Sequence, residues 1–503
     1  DVVISPGSRN APLSLAFFAA AEQKLIKIHV RIDERTAAFF ALGIIKATGR
    51  PVAVVCTSGT AVANYHPAVL EAHHTNAPLL VLTADRPAML RRTGANQTTE
   101  QARIFGKAVR YFADVDGPVY PMELPLDSLR LGPVHLNLQF DEPLLPDDST
   151  DWVSEIIVAP KRFENRSKTG TLRLVGARGV VVIGHDRGGL SVEEITKFTK
   201  TLGWPVIAED PLSFPDAIAH ASIFLTSQEI RSTLIPQSVL VIGRTTLSRS
   251  INSFINSSPI TYVVDPRTAT VDTDRQADRV FTALPELQGI IQSDEWIATW
   301  NKVSERTKKL VANLEGWNEA VIARTISAAI PDETALFVSS SRPIRDLEGF
   351  AVPRDGVVTY ANRGLAGIDG NISTALGIAY SHKATIAILG DLSFLYDLTG
   401  LINKEDINCR FIVINNDGGG IFSTLPQRGS HGFETVFGTP HGLNPAEIAK
   451  SMGISAKQIS SIKELEAEVK APISGISVVV CDVLDRESNA DNLKAIYESL
   501  KSF

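Results

Sequence analysis

Short apolar runs without polar alternation recur along this 503-residue chain, and amphipathic stretches separate them. Residues 2–5, 51–57 and 79–83 crowd Val, Ile, Leu and Ala together, as strands covered on both faces do, while 36–47 and 62–74 carry helical spacing. That alternation predicts a parallel sheet with crossover helices. A second series follows at 179–184, 204–208, 238–243 and 260–265. After the polar helical stretch 294–315, a third series reads as strands at 335–339, 357–360, 385–389, 411–414 and 476–481. Between the first two series, the Pro-rich stretch 143–148 and the polar, basic segment 159–170 read as a linker. The expected fold is three α/β domains in series, each a doubly wound parallel sheet, over 1–161, 171–316 and 317–503.

Composition narrows the class. With 44% hydrophobic and 21% charged residues the chain is an ordinary globular protein, and a net charge of −7 excludes the clustered cationic surface that nucleic-acid binding needs. Cys56, Cys409 and Cys481 lie in apolar runs without CxxC spacing, which argues against a zinc site or a disulfide framework. That cysteine pattern fits a reducing cytoplasm as the expected compartment, and no apolar run reaches the ~20 residues of a membrane span.

Candidate chemistry sits where two apolar runs of the third series end. Gly390-Asp391-Leu392-Ser393-Phe394 follows one run, and Asn415-Asn416-Asp417-Gly418-Gly419-Gly420-Ile421-Phe422 follows another. In an open parallel sheet both segments fall at the carboxyl edge, where ligands bind. Asp391, Asn416 and the carbonyl of Gly418 are hard oxygen ligands suited to Mg²⁺. The glycines let backbone approach a diphosphate, and Ser393 at a helix start can donate to it. Singly, Asp and Asn at strand ends are more often caps and turn formers; the two segments together favour a site. His441, in Thr439-Pro440-His441-Gly442, could be a pocket residue, although a lone His in a Pro/Gly turn is more often a turn hydrogen-bonder. A rival of another class, a nucleotide-binding regulatory module, is suggested by Gly184-His185-Asp186-Arg187-Gly188-Gly189 after a strand, although GxGxxG spacing is lacking.

The two segments resemble the GDG…NN signature of thiamine-diphosphate (ThDP)-dependent enzymes, with Leu392 in place of the second glycine. GDLSF is the form carried by the synthases of menaquinone biosynthesis that make 2-succinyl-5-enolpyruvyl-6-hydroxy-3-cyclohexene-1-carboxylate. The resemblance extends through Ser5-Pro6-Gly7-Ser8-Arg9-Asn10, Asp33-Glu34-Arg35, the run from Thr57 to Asn64, Thr83-Ala84-Asp85-Arg86-Pro87, Gly94-Ala95-Asn96-Gln97, Pro343-Ile344-Arg345-Asp346, Ala361-Asn362-Arg363-Gly364 and Gly367-Ile368-Asp369-Gly370. It implies pyrimidine-binding, central and diphosphate-binding domains, ThDP with Mg²⁺ or Mn²⁺, and a homodimer or dimer of dimers with active sites between subunits. It further implies a reaction that decarboxylates 2-oxoglutarate and adds the succinyl unit to isochorismate in a Stetter-like 1,4-addition. Glu34 would be the acid that activates the aminopyrimidine. Gly390, Asp391, Leu392, Ser393, Asn416, Gly418, Gly419, Ile421 and Ile368 would hold the cofactor, with Asp391, Asn416 and Gly418 on the metal. Ser8, Arg9, Arg86, Gln97, Arg249, Ser341, Arg345 and Arg363 would bind the acidic substrates, Arg249 replacing a family lysine. The nearest rival is another ThDP enzyme of the acetohydroxyacid synthase or 2-oxoacid decarboxylase kind, sharing the cofactor residues but not the arginines.

Overall fold

The computed structural model describes residues 1–117, 124–146, 153–156, 170–174, 176–267, 277–483 and 485–500. Residues 159–169 of the expected linker lie outside the described residues. Three main sheets form, every strand parallel to its neighbours. The first contains β1 (Val2–Ile4), β2 (Ile28–Val30), β3 (Val52–Cys56), β4 (Leu79–Asp85), β5 (Tyr111–Val115) and β6 (Val134–Gln139), in the order β2-β1-β3-β4-β6-β5. After the short β7 (Thr171–Arg173), the second contains β8 (Gly179–Ile183), β9 (Val206–Ala208), β10 (Ser238–Ile242), β11 (Thr261–Val264) and β12 (Arg279–Phe281), ordered β12-β11-β10-β8-β9. β13 (Glu286–Gln288) pairs with β7 alone. The third contains β14 (Ala335–Val338), β15 (Val358–Tyr360), β16 (Thr385–Gly390), β17 (Cys409–Asn415), β18 (Ser455–Ile459) and β19 (Ile476–Asp482), ordered β15-β14-β16-β17-β19-β18.

The order of each main sheet reverses beside its first strand, which is the doubly wound pattern, and the reversal opens a crevice at the carboxyl edge. In the first sheet this lies between β1 and β3, so Ser5–Arg9 and Thr57–Thr60 flank it; in the third it lies between β14 and β16, flanked by Ser339–Ser341 and Asp391. In the second sheet the crevice is closed by its own backbone. A Cβ on Gly184 would lie 1.5 Å from the Arg244 carbonyl oxygen, and one on Gly243 would lie 2.3 Å from that of Asp186. Arg267, pairing with both Asp186 and Asp265, fills the turn that the nucleotide-binding reading had singled out.

The chain divides into two compact units. One comprises Asp1–Asn165, Asn362–Lys383 and Tyr396–Asn408; the other comprises Arg166–Ala361, Ala384–Leu395 and Cys409–Phe503. Two excursions of the third series thus belong with the first sheet. In the first unit, the helix Glu34–Thr48 begins on Asp33, whose Oδ1 accepts from the Arg35 amide at 2.9 Å, and ends on Gly49 at φ 66°. It packs backbone to backbone on the helix Asn371–Ala379. A Cβ at Gly43 would meet the Thr374 carbonyl at 2.2 Å, and one at Gly377 the Phe40 carbonyl at 2.1 Å. The stretch expected as one helix over 62–74 divides into Thr60–Asn64 and His66–Thr75, with Pro67 in the first turn of the second piece.

Candidate active site

In the second unit, parallel register sets Gly390 beside Ile414, so Asp391 and Asn416 leave neighbouring strands at nearly one level. Asp391 opens the short helix Asp391–Tyr396 and is buried. Its Oδ1 accepts from the Leu392 amide at 2.7 Å, and its Oδ2 from the Gly418 amide at 2.8 Å and from His441 Nε2 at 3.2 Å. Burial raises its pKa against the lowering effect of those donors. His441 Nδ1 accepts from the Leu443 amide at 3.0 Å, so the ring carries its proton on Nε2 and donates to Asp391.

Asn416 is equally buried. Its Nδ2 donates to Glu319 Oε1 at 2.8 Å, which leaves Oδ1 buried and without a partner. An orphaned amide oxygen, a buried carboxylate and a glycine loop fit a divalent cation carrying a diphosphate. The loop's path also requires glycine: Gly418 has φ 130°, and a Cβ there would lie 2.2 Å from the Gly438 carbonyl oxygen. Nothing stands within 4 Å of a Cβ built on Gly390, so that side is open. Arg249 and Arg345 line one cavity of about 240 Å³ with Ile421 and Leu425. Ser341, at φ 74°, precedes the helix Arg342–Phe350, and its carbonyl accepts from Arg345 Nη1 at 2.6 Å.

In the first unit, Glu34 is half-buried at the start of its helix and accepts from Asn64 Nδ2 at 3.3 Å. Below it the Cys56 thiol and Tyr65 hydroxyl are fully buried; burial pushes the thiol well up and the Glu34 charge adds to it. Ile368 is half-buried in the loop before Asn371–Ala379, and Arg363 is buried at that loop's start. At the carboxyl edge of the same sheet, Arg86 Nη1 donates to the Gln97 carbonyl at 2.8 Å and also contacts Ser58 Oγ. Ser58 Oγ and Gln97 Nε2 each donate to the other's carbonyl, at 2.9 and 3.0 Å. Arg9 donates to the Phe140 carbonyl at 3.0 Å. Burial, then the charge of Arg9, lowers the pKa of Arg86, while Asp85 and Glu142 act the other way; Glu142 Oε1 lies 3.3 Å from Arg9 Nη2. Ser8 is exposed beside them.

Three domain families match in sequence order: the N-terminal TPP binding domain of thiamine pyrophosphate enzymes over residues 1–104, their middle domain over 147–338, and their C-terminal TPP binding domain over 350–483. The chain is 36% identical to the 2-succinyl-5-enolpyruvyl-6-hydroxy-3-cyclohexene-1-carboxylate synthase of Bacillus cytotoxicus, covering 97% of this chain and 92% of that one. It is 37% identical to the synthase of the same name from Thermobifida fusca, covering 99% and 95%. The chain belongs to this synthase family. It is therefore a ThDP-dependent enzyme. Among solved structures, the benzoylformate decarboxylase of Polynucleobacter necessarius superposes with a TM-score of 0.67 over 97% of this chain and 96% of that one; at 16% identity the likeness is one of fold.

Within this synthase the structure brings together Asp391, Asn416, Gly418 and Gly419 around one loop, and Arg9, Arg86 and Gln97 around another. Two neighbours were not among the expected site residues. His441 looked more like a turn residue than a pocket residue, and its Pro/Gly surroundings gave no sign that its ring would meet Asp391. Glu319 lies far from the glycine loop in sequence and opens an ordinary capped helix, so only the tertiary structure places it on Asn416.

Proposed function

We propose that the enzyme decarboxylates 2-oxoglutarate and adds the succinyl unit to isochorismate in a 1,4-addition, forming 2-succinyl-5-enolpyruvyl-6-hydroxy-3-cyclohexene-1-carboxylate for menaquinone biosynthesis. The observation that carries this reading is that Arg9 and Arg86 stand on loops at the carboxyl edge of the first sheet, near enough for the charge of one to act on the other. The carboxylate beside them is Glu142, whose exposed side chain lies 3.3 Å from Arg9, and both substrates are dicarboxylates that a guanidinium fork would take up there. Arg249 and Arg345, on a shared cavity with the apolar Ile421 and Leu425, supply a second cationic wall. Ser8, Gln97 and Ser341 add hydroxyl, amide and backbone groups for substrate oxygens, and Arg363 adds a further cation.

Asp391, Asn416 Oδ1 and the Gly418 carbonyl would hold Mg²⁺ or Mn²⁺, with Gly390, Leu392, Ser393, Gly419 and Ile421 around the diphosphate and Ile368 against the rings. Bound there, ThDP supplies the electron sink that lets CO₂ leave and the new carbon–carbon bond form. Glu34 would hold a proton against the aminopyrimidine N1′, the contact that turns the 4′-amino group into a base. The arginines orient both substrates by their carboxylates, so that the reacting carbons meet without a search over orientations. The working form is a homodimer or dimer of dimers with active sites between subunits, in the cytoplasm. Exposed apolar side chains near Glu34, Ile32 among them at 74% exposure, support the association. No helix among the described residues is long and apolar enough to cross a membrane.

The test is to identify the product formed from 2-oxoglutarate with Mg²⁺ and ThDP, with and without isochorismate, by mass spectrometry. The adduct is expected only when both substrates are present. Consumption of pyruvate with 2-oxoglutarate untouched would sink the substrate assignment and favour an acetohydroxyacid synthase-like reaction.

A further inference from the structure

An asparagine can serve a cation only through its oxygen, yet its amide is nearly symmetric in shape and can turn either way. Asn416 sits where this matters. Its side chain is packed against Gly420, whose added Cβ would lie 2.3 Å from Nδ2, and its Oδ1 is buried without a partner. Nδ2 faces Glu319 Oε1 at 2.8 Å. A carboxylate has only acceptor oxygens, so it admits the NH₂ of the amide and repels its oxygen. Glu319 is itself held. It opens the helix Glu319–Ala329, its backbone N–H donates to Asn489 Oδ1 at 3.1 Å, and Arg342 Nε lies 3.5 Å from its second oxygen, Oε2. Arg342 is paired in turn with Asp346. The Glu319 carboxylate therefore has one oxygen facing an arginine and the other facing Asn416, so neither is left over for a cation.

We propose that Glu319 is a positioning residue that sets which atom of Asn416 faces the metal, acting through the amide and not as a ligand. Without it that contact no longer selects between the two orientations of the amide, and in the wrong one an NH₂ points at the cation. The inference rests on the metal reading given above. Such a contact behind a ligand is typically worth 10- to 100-fold in metal affinity.

The measurement is Mn²⁺ affinity by electron paramagnetic resonance in the presence of ThDP, on the full-length protein without turnover. Glu319→Ala is expected to weaken Mn²⁺ binding about 10- to 100-fold. Asn416→Asp alone is expected to weaken it as well, because two carboxylates then face each other across the same gap. The exchange Glu319→Gln with Asn416→Asp restores one donor and one acceptor at that gap in nearly the same volume, leaves an oxygen toward the metal, and is expected to bind more tightly than Asn416→Asp alone. A Glu319→Ala protein that binds Mn²⁺ as tightly as wild type overturns the proposal. So does an exchange variant no tighter than Asn416→Asp, and that comparison stands even where Glu319→Ala does not fold. Wild-type protein that failed to take up Mn²⁺ with ThDP would overturn the metal reading itself and this proposal with it.

Discussion

Non-glycine residues at the candidate site hold positive φ, among them Gln97 at 56°, Ser341 at 74° and Asp417 at 57°. Each such conformation costs about 1–3 kcal/mol and persists only where neighbours hold it. Here those neighbours are visible. Gln97 is locked by its reciprocal bonds with Ser58, and Asp417 Oδ1 accepts from the amides of His441 and Gly442 at 3.0 and 2.7 Å. Strain collected where the motifs lie is what a preorganised binding site requires. At the same scale, Glu34→Gln keeps the side chain's shape but loses the acid that would face N1′. Turnover is expected to fall about 100-fold or more while ThDP affinity by calorimetry stays within about threefold; equal losses in both would count against the assigned role. Asp391→Ala should remove metal-dependent ThDP binding altogether, and unchanged affinity would remove Asp391 from the metal site.

Among the elements, the contact of Glu34–Thr48 with Asn371–Ala379 depends on two glycines whose α-carbons touch the opposing backbone. Gly377→Ala would gain helix propensity, but its methyl group has nowhere to go. The expected result is a loss of about 1–3 kcal/mol or more in urea unfolding, and a neutral result would mean that the helices can separate at little cost. Asn371–Ala379 has no capping side chain at Gly370; Asp397, from the turn Leu398–Leu401, instead accepts from the Ser373 amide at 2.7 Å. Burial pushes the Asp397 carboxyl up to about 6, against the lowering effect of Ser373. The folded pKa lies above the unfolded value of 3.8, so the stability that Asp397 contributes is fully present below pH 3.8 and is lost as pH rises through about 6. Asp397→Asn should therefore gain on wild type across that window, on the order of 3 kcal/mol in denaturation midpoints converted to free energy. A difference independent of pH would show that Asp397 does not titrate there. Strands were legible where an unbroken apolar run fills them; β6 is largely buried but was missed, because His135, Asn137 and Gln139 interrupt its apolar residues. β16 and β17 read plainly because apolar side chains fill both faces, whereas β18, Ser455–Ile459, is an edge strand with a mostly exposed, polar sequence that carries no such signal. β5 escaped for the same reason.

For the whole molecule, two exposed apolar residues of the first unit bear on assembly: Ile32 at 74% exposure, two positions before Glu34, and Leu365 at 51%. Placing large apolar groups in water beside a candidate catalytic residue is costly unless a partner covers them. The wild-type chain is expected to sediment as a dimer or larger. Ile32→Asp should shift it toward monomer and reduce activity in step, and an unchanged sedimentation coefficient would show that this face is not the interface. The division into two compact units could not be read from the chain. Residues 362–383 and 396–408 follow strands of the third sheet in sequence but join the unit of the first, because Gly43 and Gly377 bring the two helices into contact and Arg31 donates to the Gly400 carbonyl at 3.1 Å.

What the amino-acid sequence determined by itself was local or repetitive: parallel strands from apolar runs, crossover helices from periodicity, and ligand-bearing loops from polar residues placed where those runs stop. Asp391, Asn416 and the glycines could be singled out as candidates because two short segments of chain state both the ligand type and the backbone freedom a site would need. The tertiary structure alone decided which atoms face one another. It turned His441 onto Asp391, set Glu319 against the amide of Asn416, brought Arg9 to Glu142, and closed the crevice of the second sheet with Arg267. Each of these is a meeting between distant parts of the chain. No periodicity encodes such a meeting, because it is fixed by packing and by the hydrogen bonds that buried polar groups must find.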